Sequence, residues 1–359
     1  KPFALRDLML HKPRTSSITL HLHWVNWVLA GEEDPGSAAA RVAGILGRID
    51  RYKKLGGKLV WTAHNVYPHG ARCLEAELAL QQGIADRADV IHVMADSTLE
   101  VLSEYTRLDP ERVLTAPHPH YLGAYEDVTS RSEARAVLGI DADETVFVLF
   151  GALKAYKGLR RTLEGFERLV AEERGERRYR LLVAGGADQD PEVQEFVDRA
   201  LVHERVLIEP TAIPGGKLQY YLRAADAGLV TYTRSLNSGA ALLYQSFGLP
   251  VLATDTAVLR ETLPAESAVF LPVGSDDAAA YAAGLREVAA LAQRTKGSEV
   301  LGRIEHLAPE TVSSQFACGL RERLGLAMAA GLRYVRMSPS IRMVLGRAAL
   351  HRDRAEGRI

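Results

Sequence analysis

The chain has 359 residues, 47% hydrophobic and 25% charged, the balance of a globular protein, and its length suggests two domains of ordinary size. Lys and Arg number 44 against 45 Asp and Glu, a net charge of −1 that excludes a general electrostatic grip on nucleic acid. Cys73 and Cys318 are the only cysteines, too few for a disulfide framework or a cysteine zinc site, and no apolar run is long enough to span a membrane.

The first residues, Lys1-Pro2-Phe3-Ala4, carry no signal-peptide pattern, so a cytoplasmic setting is expected. Residues 17–23 (SITLHLH) read as a short buried strand ending at Trp24. Residues 38–54 have helical spacing, with Val42, Ile45, Leu46 and Ile49 on one stripe, and Gly56-Gly57 stops them. A strand at 58–63, a loop at 64–70 (HNVYPHG), a helix at 71–87 and a strand at 89–95 follow. Ser97 and Glu100 are spaced as a capping box, and 112–116 is a further strand running into Pro117-His118-Pro119-His120-Tyr121. This alternation predicts a parallel sheet covered on both faces, with ligands beyond the carboxyl ends of its strands. Eight of the 11 histidines lie in the first 120 residues. His23, His64 and His118 fall at or just after strand ends, on one rim. His21 and His92 fall inside strands, as core or cross-strand residues.

Residues 123–143 read as a linker with a helical piece inside, and a second alternation occupies 144–308. There, strand 145–150 meets a glycine turn at 151–158 that opens a helix. Such a turn exposes backbone N–H groups that favour phosphate, and Lys157 adds a full charge. Ser238 is placed to cap a helix at 239–247, and Gly239 lets a ligand approach the backbone. Residues 309–359 form terminal helices and a tail. From 331 onward the tail carries seven arginines against Asp353 and Glu356, a net of +5. Interleaved apolar residues, broken at Pro339, predict two helical pieces that pack on the protein or on an anionic membrane surface.

The order of motifs in the second half resembles the donor half of a family 4 glycosyltransferase of the GT-B fold. A strand leads into Gly151-x-Leu153-x-x-x-Lys157-Gly158. Then come Leu181-Leu182-Val183-Ala184-Gly185-Gly186, Ala224-Ala225-Asp226 at a strand start, and a glycine-containing loop and helix. Gly248-x-Pro250-Val251-x-Ala253-Thr254 and Glu261 close the series. The resemblance covers about residues 17–326 and implies two Rossmann-like, doubly wound α/β domains facing across a cleft. It implies that Gly151, Lys157, Asn237, Ser238, Gly239 and Glu261 hold a nucleotide diphosphate sugar. It places His64 at the donor sugar, with His23 beside the acceptor. Trp24, Asn65, His69, His118 and His120 join the acceptor side. The implied reaction moves a sugar to a hydroxyl acceptor with retention, needs no metal, and serves polysaccharide or glycolipid assembly, at the inner face of a membrane if the tail binds there. The chain departs from the family at its usual pair of glutamates, where Ser235 and Leu243 stand, and at the arginine of the glycine turn, where Ala152 stands. The first domain looks short of its opening strand. Two other readings fit the same residues: a sugar-nucleotide-binding protein without catalysis, and a metal hydrolase using His21, His23, His64, His69, His118 and His120.

Overall fold

The computed structural model describes residues 19–67, 71–173, 178–232 and 235–325, together with the backbone of 333–338 and 341–345. The chain divides into two compact units, one of Lys1–Pro117 with Val312–Ile359, the other of His118–Thr311.

The first unit is built on β1 (Thr19–Leu22), β2 (Lys58–Thr62), β3 (Val90–Val93) and β4 (Val113–Thr115), all parallel in that order. The stripe foreseen on the helix Pro35–Lys54 is buried: Val42, Ile45 and Ile49 face inward. Asp34 caps that helix by accepting from Ser37 N–H at 2.6 Å. The other face of the sheet carries Val60, Val90 and Leu114, covered by Phe316 and Leu320 of the helix Pro309–Leu324.

The tail is a correction to the sequence reading. In place of helical pieces it forms two strands, which follow those of the second unit in the chain: β11 (Arg333–Ser338) and β12 (Ile341–Leu345). β12 pairs antiparallel with β1, Leu22 opposite Ile341, and β11 pairs antiparallel with β12. The reason is non-local. β1 would otherwise leave a row of unpaired backbone groups at a sheet edge, and residues such as Tyr334, Val335, Ile341 and Val344 suit strands. Ser97 does not cap its helix through its side chain, because its own backbone is already helical, φ −60°, ψ −14°. The reciprocal box is at Ser130 and Glu133 instead.

The second unit has β5 (Thr145–Phe150), β6 (Tyr179–Ala184), β7 (Val206–Glu209), β8 (Ala227–Val230), β9 (Val251–Thr254) and β10 (Ala268–Leu271), in spatial order β10-β9-β8-β5-β6-β7. Every pairing is parallel. This is the Rossmann order, and it reverses between β5 and β8, where the loops after those strands diverge and leave a crevice. Phe147 lies edge-on to Phe166 and stacks on Tyr179 at 5.8 Å, all within one buried cluster.

Residues 123–143, read as a linker, pack as part of this unit. The anchor is Arg135, 3% exposed, on the helix Arg131–Leu138. Its guanidinium donates to the carbonyls of Ala224, Asp141, Ala142 and Glu144 and to Asp226 Oδ2 at 2.8 Å. Asp226 also accepts from Val146 N–H at 2.8 Å. The aspartate of the Ala-Ala-Asp motif is therefore tied to the start of β5, at the amino edge of the sheet.

Candidate functional site

Each unit contributes one constellation. In the second it lies at the switch point. β5 ends at Phe150, whose N–H donates to Tyr244 Oη at 2.7 Å, so the strand end is fixed before the turn begins. Gly151 and Gly158 take φ of +92° and +67°, values that only glycine adopts without strain. Gly158 also passes close to the carbonyl of Thr231, where a Cβ would not fit. Thr231 Oγ1 donates to Lys157 O at 3.0 Å and meets Thr162 Oγ1 at 2.9 Å, joining the turn to the loop after β8.

Lys157 is held inside this frame, 6% exposed. Its Nζ lies 3.4 Å from Phe150 O and 5.5 Å from the centre of the Tyr232 ring. Among the described residues no carboxylate faces it, and burial, with Lys154 adding repulsion, pushes its pKa down to about 8. Lys154 itself pairs with Asp188. A buried ammonium without a counter-charge is costly, and an anion placed beside it would recover that cost.

The loop after β8 ends at Ser238, whose Oγ accepts from Ala241 N–H at 3.1 Å and caps the helix Gly239–Ser246. Tyr232 hydrogen-bonds Ser238. A Cβ on Gly239 would lie 2.8 Å from Tyr121 Oη and 4.0 Å from His118 Nε2. His118 Nδ1 lies 2.7 Å from Pro119 O, so it carries the proton, and Nε2 accepts from Tyr121 O–H at 3.4 Å. Burial holds this imidazole neutral by lowering its pKa. His118, grouped by the sequence reading with the acceptor side, thus lies beside Tyr121 and the start of the helix Gly239–Ser246. His120 is 8% exposed, and its Nδ1 accepts from Leu122 N–H at 3.3 Å, a bracing role. Asn237 is half-buried beside Ser235, and Glu261 is exposed on the helix Ala257–Thr262. Leu243, at a family glutamate position, is 7% exposed and packed in the core, so it offers a ligand nothing polar.

In the first unit His23 follows β1 and His64 follows β2. The sequence assigned them separate partners, but His23 Nδ1 lies 3.0 Å from His64 Nε2. Such a contact needs one donor and one acceptor, so two imidazolium rings cannot keep it. Any hydroxyl that His64 binds through Nε2 must displace His23. Trp24, 43% exposed, stacks on His64 at 4.2 Å and 17°. These rings, Trp61, Asn65 and Gln81 line a pocket of about 30 Å³, room for a water rather than a sugar ring. His69 lies outside the described residues. Gln81 Nε2 donates to Val66 O at 2.9 Å. One helical turn earlier, Glu77 is 6% exposed, its Oε2 has no hydrogen-bond partner, and burial pushes its pKa up to about 7. The sequence reading missed Glu77, since a glutamate in the first turn of a helix is the commonest of residues there.

Among the described residues no group of three or more His, Cys, Asp and Glu side chains is arranged to hold a metal ion. No helix there is long and apolar enough to cross a membrane.

Residues 144–291 match the family model described as glycosyl transferases group 1. The D-inositol 3-phosphate glycosyltransferase of Segniliparus rotundus is 28% identical over 212 residues, 56% of this chain and 46% of that protein. The chain thus spans about half the length of that relative. The sucrose-phosphate synthase of Thermosynechococcus elongatus superposes with a TM-score of 0.63 at 20% identity, covering 81% of this chain and 80% of the other. HepE of Anabaena, solved with UDP and glucose, superposes at 0.52 and 17% identity, covering 78% and 83%. The chain has the GT-B fold, and the match to the group 1 glycosyl transferase model lies within its second unit.

Proposed function

We propose that this chain is a glycosyltransferase of the family 4 type that moves a sugar, with retention, from a nucleotide diphosphate sugar to a hydroxyl of a saccharide or related polyol. The observation that carries this reading is Lys157, a buried ammonium with no carboxylate partner among the described residues, at the switch point of the unit that matches the group 1 glycosyl transferase model. The diphosphate is the anion it awaits, and the helix that starts at Gly239 adds its positive end. As the sugar–phosphate bond breaks, charge grows on the leaving diphosphate, and these fixed groups stabilise it without a metal. With no carboxylate nucleophile assigned, the departing phosphate removes the acceptor proton on the same face. His64 orients the sugar and His23 the acceptor, with Trp24 as a stacking surface. Relatives that act on inositol phosphate or were solved with UDP make a UDP-sugar and a polyol acceptor the first pair to try.

The test begins with thermal shifts against UDP-, GDP- and dTDP-sugars, then transfer assays with the donor that stabilises. Transfer that survives EDTA and disappears in Lys157→Met is expected. Unchanged turnover in that variant removes the phosphate role. A second reading, donor binding without transfer, is favoured by Leu243 standing buried where the family has a glutamate. It predicts a donor-induced shift but no product with any acceptor. The arginines of the tail support contact with an anionic lipid surface and a lipid-linked acceptor. Co-sedimentation with phosphatidylglycerol vesicles checks this, and equal recovery with neutral vesicles removes it.

A further inference from the structure

His21 and His92 do no work in the reading above, yet they belong to a polar chain across three strands of the first sheet. His21 Nε2 lies 2.7 Å from Thr62 Oγ1, Thr62 Oγ1 lies 3.1 Å from His92 Nδ1, and His92 Nε2 lies 2.9 Å from Ala116 O. Thr62 is 0% and His21 2% exposed. Register explains the assembly. Thr62 stands directly opposite His92 across β2 and β3, and His21 stands beside Val60, one same-face position before Thr62.

The chain has only one consistent direction for uncharged rings. A carbonyl oxygen can only accept, so His92 Nε2 must hold its proton. His92 Nδ1 is then a lone pair, and the Thr62 hydroxyl must donate to it. Thr62 Oγ1 in turn accepts from His21, which must hold its proton on Nε2. One hydroxyl therefore selects the tautomer of a ring three strands away from the anchoring carbonyl. That ring is not remote from the rim: His21 and His23 are two residues apart on one face, with centroids 4.2 Å apart. His23 in turn meets His64.

We propose that Thr62 is a positioning residue of the histidine rim, its hydroxyl fixing the tautomer of His21 and, through ring contact, the placement of the His23–His64 pair. The proposal rests on the reading of that pair as the sugar- and acceptor-orienting element, but its first test does not need activity. Protein labelled with ¹⁵N-histidine shows by long-range ¹H–¹⁵N correlation which ring nitrogen is protonated. Wild type is expected to hold the proton on Nε2 in both His21 and His92. Thr62→Val keeps the shape and suits a buried strand position. It is expected to lose the single His21 tautomer, and Thr62→Ser to restore it. With a working donor and acceptor, Thr62→Val is expected to lower kcat about ten- to a hundred-fold with donor KM unchanged, and Thr62→Ser to recover most of it. A wild-type His21 protonated on Nδ1, or a tautomer pattern indifferent to the hydroxyl, overturns the proposal. So does an unchanged kcat in a Val variant whose tautomer has shifted. A pattern that follows the hydroxyl, with no transfer from any donor, upholds the coupling and removes the transfer reading instead.

Discussion

The two constellations are built on opposite principles. Along the first sheet the rim histidines His23 and His64 contact one another, the strand histidines His21 and His92 contact Thr62, and Trp24 stacks on His64. At the second sheet's switch point a cation is enclosed with no opposite charge among the described residues facing it. Hydrogen bonds between fixed groups orient them before a ligand arrives, whereas an uncompensated charge stores a cost that only a ligand of the right sign relieves. In the proposed function the difference divides the tasks: placement to the first, charge stabilisation to the second.

The sharpest way to break that comparison is Lys157→Met. Transfer is expected to fall by 10²–10³-fold, the usual loss when one fixed group facing developing charge is removed. Stability should move the other way. The folded pKa of about 8 lies below the ordinary 10.5, so the penalty is fully present below pH 8 and disappears as pH rises from 8 to 10.5. Chemical denaturation at pH 7 is expected to show the variant more stable by about 2–3 kcal/mol, with the gain gone above pH 10.5. A variant less stable at pH 7 would mean that the charge is not uncompensated.

Glu77 gives the first unit one such unsatisfied group. Its pKa, raised to about 7 from 4.5, keeps it protonated in the folded state, so stability is expected to fall as pH rises from 4.5 to 7. Glu77→Gln should remove about 2–3 kcal/mol of that slope, measured by urea unfolding at pH 4.5 and 8. A slope unchanged in the variant would assign it to other groups.

The histidine pair is subtler. His23→Ala and His64→Ala should each reduce transfer, and the double variant should lose less than the sum, with a coupling of about 1–2 kcal/mol in a double-mutant cycle. Strict additivity would separate the two rings. The smallest effect is expected from Ser238→Ala, about 1 kcal/mol of stability from the lost cap, read as a fall in Tm.

The alternation of strands and helices was plain in the sequence because each element carries its own period, and Lys157 was plain because glycines flank its turn. The His23–His64 contact was half legible: strand ends share a rim, but which rings touch depends on register. The strands of the tail were not legible, since their partner, β1, lies some three hundred residues earlier. The neighbours of His118 were hidden for a related reason, as a residue at a boundary shows its side only when the chain has folded. Arg135 looked like one more charged residue of a linker because its acceptors are mostly main-chain carbonyls, which leave no trace in side-chain pattern.

The return of the chain to pair β12 with β1 also sets a schedule for synthesis. On a ribosome the described strands of the second unit have emerged while the first unit still waits for the helix Pro309–Leu324, β11 and β12. Until those residues emerge, β1 presents an open template to neighbouring chains. A chain interrupted before residue 333 would therefore carry a completed second unit attached to an adhesive, unfinished first one.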